Sequence, residues 1–352
     1  MMSVLDLIQP ALRNIKNYQP DGDLQPCRLH ANELPWAPPA VTDFALNHYP
    51  DNTLENRLRE KLAGLYQVSQ EHILITRGSD DGIDRLMRLF LRAGKDAILQ
   101  CPPTFPMYAF YAQLQQAGIL NCPLDEKEDY ALSPEKLMAQ WQPDCKIIVL
   151  CQPNNPTGTL LELQTIRTIC EQFIHRAVVV VDEAYIEFAQ TDSAAQLLSS
   201  FDNLVVLRTL SKAYGMAGLR LGAVLAQPQL IQVLQRTSAP YLLSNAVLSP
   251  ALQALREADW YERRINDIIR QKEQLAAQLL RSPFIERVYP SRTNFLLVQT
   301  THAHALKDRF QQHGIAVRHF PGAPDLHNKL RITVGDPEQN ARLLAVLSTY
   351  KT

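Results

Sequence analysis

Four short, almost wholly apolar runs recur through the middle of this chain, at 97–100, 146–151, 177–182 and 204–208. Connections long enough to hold a crossover helix separate most of them. A strand that alternates apolar and polar residues has one wet face, whereas these runs have none, so helices must cover both sides. That pattern predicts an α/β fold with a mostly parallel sheet, with 219–226 as a fifth strand candidate. Upstream, Leu54, Leu58, Leu62 and Leu65 fall at helical spacing over 52–66. A strand is expected at 72–76, then Arg77-Gly78-Ser79-Asp80. After this turn Ile83, Leu86, Met87 and Phe90 share one helical face, with Ser79 or Asp80 as N-cap. The tail changes style. A long helix at 260–280 precedes short strands at 285–289, 295–299, 315–317 and 330–334, around a polar helix at 303–313. The division expected is an arm over 1–40 packing with the small domain, a large domain over 41–255, and a smaller α+β domain over 256–352.

Charge and cysteine usage narrow the function. The chain has 352 residues, with 35 basic against 36 acidic ones and a net charge of -1. No bulk attraction to nucleic acid or an anionic membrane follows from that balance, and neither is expected as a partner. The six cysteines, from Cys27 to Cys170, form no CxxC pair and no disulfide-framework spacing. The nine histidines show no HExxH spacing, and no metal site is expected. The first 18 residues mix Leu and Ile with Asp6, Gln9, Arg13 and Lys16, unlike a secretory leader. The longest all-apolar stretches are too short to span a bilayer, so a cytoplasmic location is expected.

Three polar motifs directly follow predicted strands, where open α/β sheets bind ligands. They are Asn154-Asn155-Pro156-Thr157-Gly158, Asp182-Glu183-Ala184-Tyr185, and Thr209-Leu210-Ser211-Lys212 with Arg220 eight residues on. Singly, each has a bland reading: a turn, a strand end, a surface lysine. Ser211 lacks the GxSxG elbow of a hydrolase. Arg220 lies in an apolar context, where a buried guanidinium needs an anion. Tyr108, Phe110 and Tyr111 read as packing. Together the motifs meet the demands of pyridoxal phosphate (PLP). Its aldehyde takes a lysine amine, Lys212. Its ring nitrogen takes a carboxylate, Asp182. Asn155 and Tyr185 suit its phenolic oxygen. Arg220, Ser211, Thr209 and the helix opened by Ser79 and Asp80 suit its phosphate. Phe105 could stack on the ring.

This set resembles the fold-type-I PLP-dependent aminotransferases. The runs 181–188 and 209–222, with Ala31-Asn32-Glu33, Tyr49-Pro50 and Leu330-Arg331-Ile332-Thr333-Val334-Gly335, are similar to the histidinol-phosphate aminotransferase branch. The resemblance spans about Tyr18 to Gly335. Phe105 stands where the family often has Tyr, and Leu34 where Asn is frequent. The resemblance implies transamination of histidinol phosphate with 2-oxoglutarate, giving imidazole-acetol phosphate and glutamate, in histidine biosynthesis. Lys212 would be the proton carrier, Asp182 and Tyr185 its catalytic companions. Tyr18, Asn155, Arg318 and Arg331 would bind substrate. Tyr49 would reach the phosphate of the other protomer in a homodimer. Two other activities of such a site are an aromatic amino acid aminotransferase and a decarboxylase of a phosphorylated amino acid such as threonine phosphate.

Overall fold

The computed structural model describes residues 3–13, 48–50 and 52–351. In chain order the main elements begin with α1 (Asn52–Tyr66), β1 (Ile73–Thr76), α2 (Ser79–Phe90), β2 (Ala97–Gln100), α3 (Met107–Leu114), β3 (Gly118–Asn121) and α4 (Pro134–Gln140). There follow β4 (Cys145–Cys151), α5 (Leu163–Gln172), β5 (Val178–Asp182), β6 (Leu204–Thr209), β7 (Gly222–Leu225), α6 (Pro228–Arg236) and α7 (Asn245–Ala254). The last third holds α8 (Ala258–Leu279), β8 (Arg287–Val288), β9 (Phe295–Gln299), α9 (Ala303–Gln312), β10 (Arg318–His319), β11 (Lys329–Thr333) and α10 (Pro337–Ser348).

Seven strands form the large sheet in the order β1-β7-β6-β5-β4-β2-β3. Strands β2 to β6 run parallel, while β7 is antiparallel to both β6 and β1. Every residue of β5 is buried. Its side chains alternate between two cores: Val179 and Val181 pack with α1, α5 and α7, and Val178 and Val180 with α2, α3 and α6. Burial on both faces is why the run is wholly apolar until Asp182.

Four strands make the smaller sheet, order β10-β11-β9-β8, all antiparallel. Leu296, Val298, Leu330 and Ile332 face a core built with α8, α9 and α10. The intervening residues Phe295, Leu297, Lys329 and Arg331 point the other way, toward the large unit.

Several details differ from the sequence expectations. Gly78, not Ser79 or Asp80, holds the N-cap position of α2, with φ of 80° and no side-chain cap. Leu65 is 37% exposed, and Tyr66 takes its place in the buried stripe of α1. The 315–317 strand is displaced to Arg318–His319, and 219–226 shrinks to Gly222–Leu225. Strand β3 was not expected; it is an edge strand with exposed ends, so it lacks the apolar signature of its neighbours. Among the described residues no helix is long and apolar enough to cross a membrane.

Candidate active site

The carboxyl ends of β4, β5 and β6 and the amino end of α2 converge on one cavity of about 140 Å³. Ser79, Asp80, Phe105 and Asn155 line one part of its wall. Asp182, Tyr185, Thr209, Ser211, Lys212 and Arg220 line the remainder, with Cys151 and Ala184 beside them. The three strand-end motifs therefore meet, as parallel strands with crossover helices require.

Asp182 ends β5 with its carboxylate buried. It accepts from Tyr108 Oη at 2.8 Å and from the Ala184 amide at 3.1 Å. Burial pushes its pKa up to about 6, although both hydrogen bonds and Lys212 oppose the rise. A buried carboxylate raised in this way lacks a cation, and a protonated ring nitrogen would supply one. The linkage has a definite sign. In the cofactor-free protein, Asp182 binds its proton more tightly folded than unfolded, so stability falls as pH rises from about 4 to about 6 and the loss is complete above. A shift of roughly two pKa units is worth about 3 kcal/mol. Cofactor-free Asp182→Asn should therefore melt higher than cofactor-free wild type at pH 8, with the gap closing near pH 4. Calorimetry of the two apo-proteins checks this, and a variant less stable at both pH values would contradict it.

Lys212 opens onto the cleft and is hemmed in by protein on its other sides. Its Nζ lies 5.7 Å from the Tyr185 ring centre. Burial first, then the Arg331 guanidinium, lowers its pKa below the usual lysine value. Tyr185 keeps its proton, because burial raises its hydroxyl further above the ordinary value. Its ring meets Phe295 edge-on at 5.2 Å, and its Oη lies 3.5 Å from Asn155 Nδ2. Asn155 Oδ1 in turn accepts from Arg331 Nη1 at 2.5 Å. Residues from both sheets are thus joined at the cavity mouth.

The phosphate corner is built on close backbone approach. Gly78 leaves the first amides of α2 without a side-chain acceptor, the state in which a helix N-terminus takes an anion. Arg220, in the left-handed region at φ 53°, reaches Ser211 Oγ at 3.3 Å and Asp80 at 3.5 Å. Its side chain is half exposed, which corrects the expectation of a buried guanidinium. Thr209 is buried, accepts from the Ser211 amide at 3.1 Å and approaches the Leu221 carbonyl at 3.3 Å. Gly222 permits this packing: a Cβ there would lie 2.6 Å from Gly78 C and 2.7 Å from Ser79 N. Gly222→Ala should cost about 1–3 kcal/mol from overpacking and weaken PLP binding. Thermal unfolding and cofactor titration read both, and unchanged PLP affinity would contradict the assignment of the Ser79 amide.

Phe105 lines the cavity and meets Tyr108 edge-on at 5.6 Å, so it serves both packing and the site. Arg318 is exposed and pairs directly across the sheet with Arg331. Tyr49 is outside the cavity, half exposed, and stacks on Tyr241 at 4.4 Å. Tyr18 and the Ala31-Asn32-Glu33 motif lie outside the described residues. Of the expected arm, residues 3–13 are described, and there Val4 and Ile8 pack into the core with α2 and α6 of the large unit, which corrects the expected packing with the small domain for this stretch. Tyr108 was read only as packing, yet its hydroxyl holds Asp182. A second unanticipated group stands behind the site. Buried Arg208 donates to Glu187 at 2.8 Å, lies 3.5 Å from Glu183, and covers the Tyr66 ring. It fixes the turn that carries Tyr185. The signal was available: an arginine ending an apolar strand must find a counter-charge.

A lysine amine near a buried carboxylate short of a cation, flanked by an uncapped helix start and an arginine, fits PLP and makes this a fold-type-I transferase site. Residues 17–347 match the model of the family aminotransferase class I and II, and the chain belongs to that family, whose members use PLP. Its relatives narrow the branch. A histidinol-phosphate aminotransferase 1 of Legionella pneumophila (strain Lens) is 47% identical over 349 residues, covering 99% of this chain and 96% of the relative. A histidinol-phosphate aminotransferase of Xylella fastidiosa is 42% identical over 355 residues, covering 98% and 96%. The crystal structure of histidinol-phosphate aminotransferase from Sinorhizobium meliloti in complex with pyridoxal-5'-phosphate superposes with a TM-score of 0.77 at 25% identity, covering 85% of this chain and 82% of that one.

Proposed function

We propose that this protein transfers the amino group of L-histidinol phosphate to 2-oxoglutarate, giving imidazole-acetol phosphate and L-glutamate in histidine biosynthesis. The relatives named for that activity support the reading. The structural observation that carries it is the direct cross-strand pairing of Arg318 with Arg331, whose guanidinium reaches the cavity-lining Asn155. Like charges placed opposite each other across a sheet are destabilising, and a phosphate dianion turns that repulsion into two charge-assisted contacts. Burial, reinforced by Arg318, already disfavours the charge on Arg331. The carboxylate of glutamate would use the same arginine in the second half of the cycle.

Bound PLP supplies an electron sink for the carbon that bears the substrate amine. Lys212 would hold the cofactor's aldehyde through Nζ and, once free, would carry the substrate proton at that atom; burial and the Arg331 guanidinium lower its pKa, which favours the neutral amine that a base requires. Asp182, held by Tyr108 and the Ala184 amide, would keep the ring nitrogen protonated. Asn155 and protonated Tyr185 would donate to the phenolic oxygen. Arg220, Ser211, Thr209 and the α2 amides would hold the cofactor phosphate, and Phe105 would cover the ring.

The test is the ratio of kcat/KM for histidinol phosphate over phenylalanine. Two arginines aimed at a phosphate dianion should favour histidinol phosphate over a substrate that offers only a carboxylate, so a ratio well above one is expected. A ratio below one would make the enzyme an aromatic aminotransferase instead. We further propose a cytoplasmic homodimer in which Tyr49 reaches the phosphate in the partner's site. Light scattering should give twice the 39.8 kDa chain mass, and a monomer at assay concentration would contradict this.

A further inference from the structure

The small sheet turns one face toward the large unit, and Arg331 is not the only cation on it. Two residues earlier on the same face of β11 lies Lys329, whose side chain is only 2% exposed. Its Nζ donates to Glu126 Oε2 at 3.0 Å, to the Asp325 carbonyl at 2.9 Å and to Asn328 Oδ1 at 3.2 Å. Glu126 belongs to the large unit, in the segment between β3 and α4. Tyr289 completes the group, donating to Glu126 and lying 3.0 Å from Gln299 Oε1. Around these polar atoms, Tyr130 from the large unit packs with Tyr289, Leu297 and Leu326 from the small one. Arg287 pairs with Asp129 at the rim.

We propose that Glu126, Lys329 and Tyr289 form a latch that positions Arg331 and Arg318 for the substrate phosphate; Lys329 is a positioning residue and touches no substrate. The inference rests on the phosphorylated donor proposed above. Three observations carry it. Lys329 and Arg331 are neighbours on one face of one strand, about 7 Å apart along it, so fixing the first fixes the height of the second. Through the Asp325 carbonyl, Lys329 also anchors the loop that joins β10 to β11, and Arg318 stands at the start of that loop's preceding strand. Finally, Lys329 is buried while Glu126 reaches it from a partly exposed position, and a buried charge is a strong source of register, because any slip leaves the ammonium unpaired out of water. Burial alone would raise the Glu126 pKa, yet the bonds from Tyr289 and Lys329 hold it below the usual range. The Glu126 carboxylate therefore stays charged at neutral pH. Two mutually repelling arginines need such an external support to face one phosphate before it arrives.

The test uses PLP-loaded Lys329→Met, Glu126→Gln and the double variant Glu126→Gln/Lys329→Met, whose two neutral partners leave no charge buried alone. Each is assayed with L-histidinol phosphate and with L-histidinol, which lacks the phosphate. The latch predicts that KM for the phosphorylated donor rises about 10- to 100-fold, the scale of an ångström misplacement of a binding group. The kcat and the KM for histidinol should stay near wild type. If Lys329→Met fails to fold, the double variant carries the measurement. Variants that keep the wild-type preference for the phosphorylated donor, or that lose both donors equally, overturn the latch while the substrate reading stands. A wild type that does not distinguish the two donors overturns the substrate reading itself, and the phosphate role of the latch with it.

Discussion

Lys212→Ala is expected to lose at least about 10⁴-fold in transamination, since general acid–base catalysis alone contributes up to that factor and the same side chain also tethers the cofactor. The variant should still fold, because Lys212 opens onto the cleft and supports no buried core. It should still hold PLP through Arg220, Ser211 and the α2 amides, but without covalent attachment. Borohydride reduction followed by mass analysis would find wild type labelled at Lys212 and the variant unlabelled. Added methylamine should restore a fraction of the rate, because a small amine can occupy the vacated space and carry the proton. Turnover near wild type in the absence of added amine would remove Lys212 from the mechanism.

The second large effect belongs to Asp182. Removing a preorganised charge that matches charge developing in the reaction costs about 10²–10³-fold in kcat, and Asp182→Asn should fall in that range or below it. The variant separates function from folding with unusual clarity. The carboxylate that burial raises to about 6 is a cost to the cofactor-free protein, so the substitution that disables catalysis should stabilise the apo-fold. Tyr108→Phe should lower kcat too, but less, since the Ala184 amide still holds Asp182, and it should destabilise the apo-fold, because it removes a donor from the buried carboxylate. Equal rates for Asp182→Asn and wild type would refute the role of the carboxylate. A variant unfolded without PLP would refute the desolvation argument.

What was legible in the sequence follows from how local each cause is. Strands β4, β5 and β6 could be read because burial on both faces leaves the apolar runs 147–151, 178–181 and 204–207, each followed directly by a polar residue. The site residues after those strands were legible for the same reason: fold topology brings such ends together. Strand β3 was not, since its exposed edge permits Asn121 and its identity depends on pairing with β2. Gly78 was passed over as an N-cap because Ser79 and Asp80 are better side-chain caps, yet an anion-binding helix start is better left uncapped. Tyr108 carries the same lesson. An aromatic residue between Met107 and Phe110 reads as packing, and only the tertiary fold shows its hydroxyl meeting Asp182, 74 residues away. Lys329 and Glu126 are 203 residues apart, and no local pattern announces that pair.

The most direct test of the central claim is a single half-reaction. The PLP-loaded protein is mixed with L-histidinol phosphate in the absence of any oxo acid, and the visible absorbance of the bound cofactor is followed. The account predicts that the band disappears in one turnover, with one equivalent each of pyridoxamine phosphate and imidazole-acetol phosphate formed and no carbon dioxide released. A band that persists with histidinol phosphate but is lost with phenylalanine would contradict the substrate. Failure of the protein to take up PLP would contradict the site.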